Sequence, residues 1–483
     1  MDLSGNHIPS HVKRIHMIAA CGTGMGALAC MLQDLGFKVT GSDQQVYPPM
    51  SDFLAEKGVD LFSGFSPSHL DPAPDLVIIG NAVTRNNVEA RHVMDNQIPY
   101  CSMPQALNHF VAKDKKIILV TGTHGKTTTS AIIAHLLYEV GLDPTFMIGG
   151  ILKNFNSNYR LGNGDYIVIE GDEYDTAFFD KGPKFLHYPP HITIINGIEF
   201  DHADIFRDLD HIKAAFKSLL AIIPPRGSVL ANGMDPNLAD VLKDATCPIE
   251  YFGEGAYHWF FTHTKINAAN VGDRRTHIHI NRQDGESFDL RSPLMGRHNA
   301  MNTIASVAAL MKLGIPGAIV CPHMDTFKGI KRRQEIRGIK HGITVMDDFA
   351  HHPTAVKETI AAVKPFYDHG RVIAVFEPRT NSSMRDIFQK DYAAAFDDAD
   401  MICIRKPSRL DKVPENQRLS TQRLVSDIRN RGNEAFYFKD TESILSFLKA
   451  HAQKGDLVLI MSNGGFDNIH QRFLELLGLF FIK

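Results

Sequence analysis

An α/β protein of three domains is the fold class this sequence predicts, and three observations carry the prediction. The chain has 483 residues, whereas a single hydrophobic core rarely grows past roughly 250 to 300 residues. Short apolar runs alternate with helix-like stretches in three separate blocks, the pattern of mostly parallel sheets covered by helices. Two of the runs lead into glycine-rich turns that open helices, an arrangement that aims backbone N–H groups at one point. The expected layout is a Rossmann-like N-terminal domain over 1–112, a central domain with a mostly parallel sheet over 113–328, and a Rossmann-like C-terminal domain over 329–483.

The first block runs from Ile15 to about Val111: IHMIAAC as a strand, GALACMLQDLG as a helix, KVTGSD as a strand, the amphipathic MSDFLAEKG and then the apolar DLVIIG. The charged stretch from Lys113 to Lys116 precedes a second start, IILVTG, with the helix TTTSAIIAHLLYEVG beyond its loop. Strands YIVIEGDE and ITIINGIE follow, then a helix from about Asp210 to Ile223. In HIHINRQDGESFDL the Asp284-Gly285 pair suits the turn of a hairpin. The pattern breaks in FKGIKRRQEIRG, where a hinge over Gly329 to Arg333 is expected. A third alternation then begins with ITVMDD, RVIAVFEP, MICIR, AFYF and DLVLIMS.

Hydrophobic residues make up 44% of the chain and charged residues 22%, with a formal charge of -3. This is ordinary globular composition, without the basic face that nucleic-acid binding calls for. The six cysteines include no CxxC pair, so neither a disulfide framework nor a thiolate zinc site is indicated. No stretch reaches the ~20 apolar residues of a membrane span, and the cytoplasm is the expected compartment. A monomer or weak homo-oligomer is expected, with the apolar tail Leu476 to Ile482 on the core or on a partner.

In the central block a strand, Ile117 to Val120, runs into Gly122-Thr123-His124-Gly125-Lys126-Thr127-Thr128 and then a helix from Thr129 to Val140. Strand, glycine loop and helix make a P-loop, and so an ATP-binding domain: loop N–H groups cradle phosphates, Lys126 reaches the β and γ phosphates, and the Thr127 hydroxyl ligates Mg2+. The longer consensus places four residues between its glycines; here two separate Gly122 from Gly125, and Val120 stands where the earlier glycine would be. Two acidic clusters, Glu170 to Asp175 and Asn196 to Asp204, follow strands directly. Carboxylates at strand ends, with a threonine hydroxyl and phosphate oxygens, supply the hard oxygen ligands Mg2+ takes.

Near the N-terminus Gly22-Thr23-Gly24-Met25-Gly26-Ala27 fits the dinucleotide fingerprint G-x-G-x-x-A, and Asp43 ends the next strand. An NAD-dependent dehydrogenase would account for residues 15–45 but leaves the ATP loop and both acidic clusters unexplained.

Together CGTGMGALA, GTHGKTTT, EGDEYD, NGIEFDHADIF, GRHNAMN and DDFAHHPTAV resemble the Mur ligase family of peptidoglycan synthesis, over nearly the whole chain. The resemblance implies a domain for a UDP-sugar, a central ATPase domain and a C-terminal domain that closes over both. It assigns Lys126 and Thr127 to the phosphate loop, and Glu173 and His202 to the magnesium, beside Thr127. His298, Asn299 and Asn302 would meet the adenine, Arg333 would contact the nucleotide from the hinge, and Asp348 and His351 would reach the nucleotide and the reaction zone. Gly22, Thr23, Gly24, Met25, Gly26 and Asp43 would hold the diphosphate of the sugar nucleotide. As bare sequence, GRHNAMN reads equally as a helix cap. Some family branches carry a carbamylated lysine beyond the DH pair; here that position is Phe216, beside Lys217, as in the branch acting on UDP-N-acetylmuramate itself.

The reaction so implied is ATP-dependent amide formation through an acyl phosphate, with Lys126 and His202 at the reacting groups. Arg379 in FEPRTNSSM is the expected substrate contact, with a surface arginine as the alternative. FEPRTNSSM and MSNGGFDNIHQ resemble the branch that adds the preformed tripeptide L-Ala-γ-D-Glu-meso-diaminopimelate in recycling. Addition of free L-alanine is the other reading.

Overall fold

The computed structural model describes residues 4–46, 50–201, 203, 205–255, 257–266, 275–408, 410 and 413–479. They fall into two compact units, Met1–Ile198 with Asp210–Phe252 and Ala305–Ile315, and Glu199–Leu209 with Gly253–Ile304 and Pro316–Lys483.

The first unit contains two sheets. One is built from β1 (Arg14–Ile18), β2 (Lys38–Asp43), β3 (Asp60–Ser63), β4 (Leu76–Ile79) and β5 (Tyr100–Ser102), all parallel, in the order β3-β2-β1-β4-β5. The central strands β1 and β4 are buried almost throughout, as strands covered on both faces must be. From β1 the chain winds one way and from β4 the other, so a crevice opens at their carboxyl ends. The edge strand β3 was not marked by the sequence pattern; its four residues DLFS are all at least partly exposed.

The other sheet has β6 (Lys116–Thr121) at its centre, with β7 (Thr145–Leu152), β8 (Ser157–Arg160), β9 (Tyr166–Gly171), β12 (Ile192–Ile195), β13 (Ser228–Asn232) and β14 (Ile249–Glu254) in the order β14-β13-β12-β6-β9-β7-β8. Only β8 runs antiparallel to its neighbour. A separate ribbon pairs β10 (Asp175–Ala177) with β11 (Asp180–Pro183). Thr121 of β6 pairs with Gly171 on one side and Ile195 on the other. The three strands therefore end level, which brings Glu170 at the end of β9 and Asn196-Gly197 after β12 beside the loop that leaves β6. The helix after that loop, Lys126–Glu139, is buried from Thr127 to Leu137, and accordingly carries almost no polar stripe.

In the second unit β15 (Trp259–Ile266), β16 (Thr276–Arg282) and β17 (Ser287–Ser292) are antiparallel. The turn between β16 and β17 holds Asp284-Gly285, with Gly285 at φ +96°. The third alternation forms β18 (Glu335–Lys340), β19 (Ile343–Asp348), β20 (Val372–Phe376), β21 (Met401–Arg405), β22 (Glu434–Phe438) and β23 (Leu457–Met461), in the order β18-β19-β23-β20-β21-β22. All are parallel except the edge strand β18. Separate apolar clusters cover its two faces. The helix Ile469–Leu479 contributes Phe473, Leu474 and Leu477 to one of them, so the described part of the apolar tail packs on the core; residues 480–483 lie outside the described residues.

Candidate active site

The loop after β6 is shorter than expected. The helix begins at Lys126, three residues before Thr129, because Gly125 adopts a left-handed conformation at its N-cap and turns the chain straight into the first turn. Gly122 sits at φ +119°, and a Cβ there would lie 2.8 Å from the Gly197 carbonyl oxygen and 3.0 Å from the Asn196 nitrogen. Only glycine fits that close backbone approach, which is secured by the Thr123 N–H donating to the Gly197 carbonyl at 2.9 Å. The loop is thereby pinned to the end of β12.

Lys126 Nζ donates to the Gly122 carbonyl at 2.7 Å and to Glu173 Oε2 at 3.0 Å. Burial disfavours its ammonium, but the charges of Glu173 and Asp172 outweigh this and hold its pKa above the ordinary lysine value. Burial acts likewise on the Asp172 carboxyl, which Lys184 and Lys126 nevertheless keep below the usual range. Thr127 Oγ1 meets Glu170 Oε2 at 3.1 Å, and the other oxygen of Glu170 accepts the Gly149 N–H at 2.6 Å. Glu173, chosen from sequence as a metal ligand, thus lies against Lys126, whereas Glu170 faces the threonine hydroxyl. Glu170 stands one residue before the end of β9, level with Val120 of β6; that register is the signal that could have singled it out.

Downstream, His202 lies outside the described residues. Phe216 is buried against Phe185 and Lys217 is exposed. In the second unit the Glu199 carboxylate accepts from Thr354 Oγ1 at 2.7 Å.

At the N-terminal crevice a cleft of about 680 Å3 is lined by Cys21, Gly22, Thr23, Asp43, Met50 and Asn87, among others. Both oxygens of Asp43 accept backbone N–H groups, from Cys21 at 2.9 Å and Gln45 at 3.0 Å. Asp43 therefore shapes the glycine turn Gly22 to Gly26, and Gly22 faces open space. Met25 and Gly26 lie under the loop, buried in the helix Thr23–Asp34, while Gly24 has Met103 and Met147 as neighbours.

In the second unit β19, β20 and β23 end level, since Met461 pairs with both Asp348 and Phe376. Asp348, Glu377 and Ser462 consequently emerge side by side. The Asp348 carboxyl accepts the N–H groups of Gln334 and Ala350, each at 2.8 Å; burial raises its pKa despite the nearby Arg333 charge. Arg332 and Arg333 both place their guanidinium carbons about 5 Å from the Phe349 ring centre. Arg332, which sequence reasoning passed over for its neighbour, donates at 2.6 Å to the carbonyls of both Ser462 and Gly464. His351 Nδ1 lies 3.1 Å from the Phe349 carbonyl oxygen, and Arg379 packs directly over Gly464. In the GRHNAMN motif Asn299 donates to the Met295 carbonyl at 2.8 Å and Asn302 to Asn299 at 3.2 Å, and His298 lies 3.8 Å from Glu358.

A glycine loop with lysine, threonine and carboxylates at level strand ends offers the N–H groups, cation and hard oxygens that suit phosphate and a divalent metal. Three family models match in succession: Mur ligase family, catalytic domain, over residues 14–115; Mur ligase middle domain over 120–310; and Mur ligase, glutamate ligase domain, over 332–464. The chain belongs to the Mur ligase family and has its three-domain α/β fold. It is 40% identical to the UDP-N-acetylmuramate–L-alanyl-γ-D-glutamyl-meso-2,6-diaminoheptandioate ligase of Escherichia coli K12, over 96% of this chain and 98% of that one. A UDP-N-acetylmuramate–L-alanine ligase of Acetivibrio thermocellus is 32% identical, over 97% of each chain. The crystal structure of a murein peptide ligase from Psychrobacter arcticus matches with a TM-score of 0.72 and 33% identity, over 98% of this chain and all of that one. Among the described residues no helix is long and apolar enough to cross a membrane.

Proposed function

We propose that this chain joins the tripeptide L-Ala-γ-D-Glu-meso-diaminopimelate to the carboxylate of UDP-N-acetylmuramate, at the expense of ATP, in peptidoglycan recycling. The observation that carries this reading is the higher identity to the tripeptide ligase, 40% against 32% for the alanine ligase, at nearly full coverage of both. A cytoplasmic location goes with it, since ATP and the nucleotide sugar are both found there.

A free carboxylate is a poor electrophile, so amide formation needs its oxygen converted into a leaving group. The carboxylate oxygen attacks the γ-phosphorus of ATP, ADP departs, and the acyl phosphate then loses phosphate to the tripeptide's amine. The protein's share is positioning and charge neutralisation. Lys126 and the N–H groups of the loop Gly122 to Thr128 take up the phosphate charge. Lys126 is suited to this because its carboxylate neighbours keep it protonated. The Thr127 hydroxyl and the carboxylates of Glu170 and Glu173 offer the hard oxygens that Mg2+ takes. These residues would hold Mg2+, with His202 added by family resemblance, and the ion would supply charge neutralisation at the β and γ phosphates. His298, Asn299, Asn302, Arg333 and Asp348 are assigned to the nucleotide, the turn Gly22 to Gly26 with Asp43 to the UDP diphosphate, and Arg379 to a carboxylate of the tripeptide, with His351 near the reacting groups.

The acyl phosphate has a direct test. UDP-N-acetylmuramate labelled with 18O in its carboxylate should transfer one label to inorganic phosphate per turnover, read by mass spectrometry. Unlabelled phosphate from a turning-over enzyme would rule this mechanism out.

A further inference from the structure

Beneath the turn that follows β23 lies a buried ion network with no part in the chemistry above. Glu377, directly after β20, is fully buried. One oxygen accepts Arg405 Nη1 at 2.5 Å; the other accepts Ser462 Oγ at 2.9 Å and lies 3.7 Å from Arg379 Nη1. Ser462 Oγ in turn accepts the Gly464 N–H at 3.0 Å. Arg405, only 8% exposed, sends Nη2 to Asp467 Oδ2 at 2.6 Å, and Thr441 Oγ1 donates to the same oxygen at 2.7 Å.

These contacts hold a backbone that would not hold itself. Phe466, Asp467 and Asn468 stand consecutively at φ +44°, +49° and +54°, a left-handed run that L-residues avoid unless their surroundings impose it. The turn so held carries Asn463, whose buried Oδ1 has no hydrogen-bond partner among the described residues, and Gly464, over which Arg379 lies. An ion pair sunk this deep is not a strong source of stability, because its desolvation opposes its attraction. Its two-pronged geometry, however, fixes the end of β20 and the turn after β23 relative to each other.

We infer that Glu377 and Arg405 are positioning residues for the amine substrate, acting through Arg379 and the turn Ser462 to Asn468. The inference rests on the tripeptide-ligase reading. The test is steady-state kinetics of the full chain with each of its three substrates varied. Glu377→Gln and Arg405→Lys should each raise KM for the tripeptide roughly tenfold or more, the effect of one lost charge-assisted contact. KM for ATP and for UDP-N-acetylmuramate should stay within about twofold. Lysine keeps the charge but cannot bridge Glu377 and Asp467 as a planar fork does, so Arg405→Lys answers the question even if Glu377→Gln folds poorly. The double variant Glu377→Gln/Arg405→Gln removes the buried charges together; its KM for the tripeptide should remain high while its melting temperature recovers. Recovery of KM in that variant, or an equal change in all three KM values, overturns the inference alone. A wild-type chain that does not turn over the tripeptide overturns the functional reading and this inference with it.

Discussion

Gly464→Ala separates the placement of Arg379 from the stability of the fold. Gly464 is not among the positive-φ glycines, so alanine can adopt its backbone. The added Cβ would lie 2.3 to 2.4 Å from Arg379 Cδ, Nε and Nη1. Non-bonded atoms settle at about 3.5 to 4 Å, so the arginine must swing aside by roughly 1 Å or more. Its side chain is 28% exposed and has room to do so. The structural cost should therefore be slight, within about 0.5 kcal/mol as at other tolerant positions, while the cation leaves its place. A hydrogen bond to a charged group is worth about 1.5 to 3 kcal/mol, so kcat/KM for the tripeptide should fall roughly 10- to 150-fold at 1.4 kcal/mol per tenfold. Stopped assays of ADP formation give kcat/KM, and urea denaturation gives the stability. A variant with wild-type kcat/KM, or one whose loss tracks unfolding, would refute the assignment of Arg379 to the substrate.

If Thr127 and Glu170 hold Mg2+ as proposed, Glu170→Gln should lower kcat by about 10- to 100-fold, with calorimetric binding of UDP-N-acetylmuramate unchanged. Gly122→Ala forces a Cβ into the backbone of Gly197 and Asn196 at φ +119°; it should destabilise the chain by about 2 to 4 kcal/mol, seen as a lower urea midpoint. Glu89, fully buried, gives a pH signature. Burial pushes its pKa up, but contacts from His16, Ser42, Ser66 and His69 outweigh that and hold it below the ordinary value. Its contribution is thus complete above the unfolded value of about 4.3 and is lost as pH falls through the lower folded value. Glu89→Gln should flatten the fall of the urea midpoint below about pH 4.

Much of this was legible in the residues, for identifiable reasons. Mostly buried parallel strands announce themselves as unbroken apolar runs, so β1, β4, β6, β9, β12, β19, β20, β21 and β23 were visible, and the edge strand β22 showed through its apolar AFYF although it is half-exposed. The strands β3 and β14 were not, because half-exposed strands carry too little pattern, and β13 was not because Ser228 and Asn232 leave only three apolar residues between them. The loop Gly122 to Thr128 was recognisable because its conformation depends on local glycine chemistry. What escaped were choices decided by register: whether Glu170 or Glu173 faces Thr127 depends on how β9 pairs with β6, and neighbouring residues look alike until that pairing is known. The same holds for the pairing of Glu377 with Arg405 across 28 residues. A charged residue ending a buried apolar strand, as Arg405 ends MICIR, is the mark such sites leave in sequence.

The amine that triggers phosphate release distinguishes a tripeptide ligase from an alanine ligase most directly. With saturating Mg-ATP and UDP-N-acetylmuramate, L-Ala-γ-D-Glu-meso-diaminopimelate should give rapid, stoichiometric phosphate release, and Lys126→Ala should abolish it. L-alanine supplied alone at the same concentration should give little. Equal or faster release with free alanine would contradict the account.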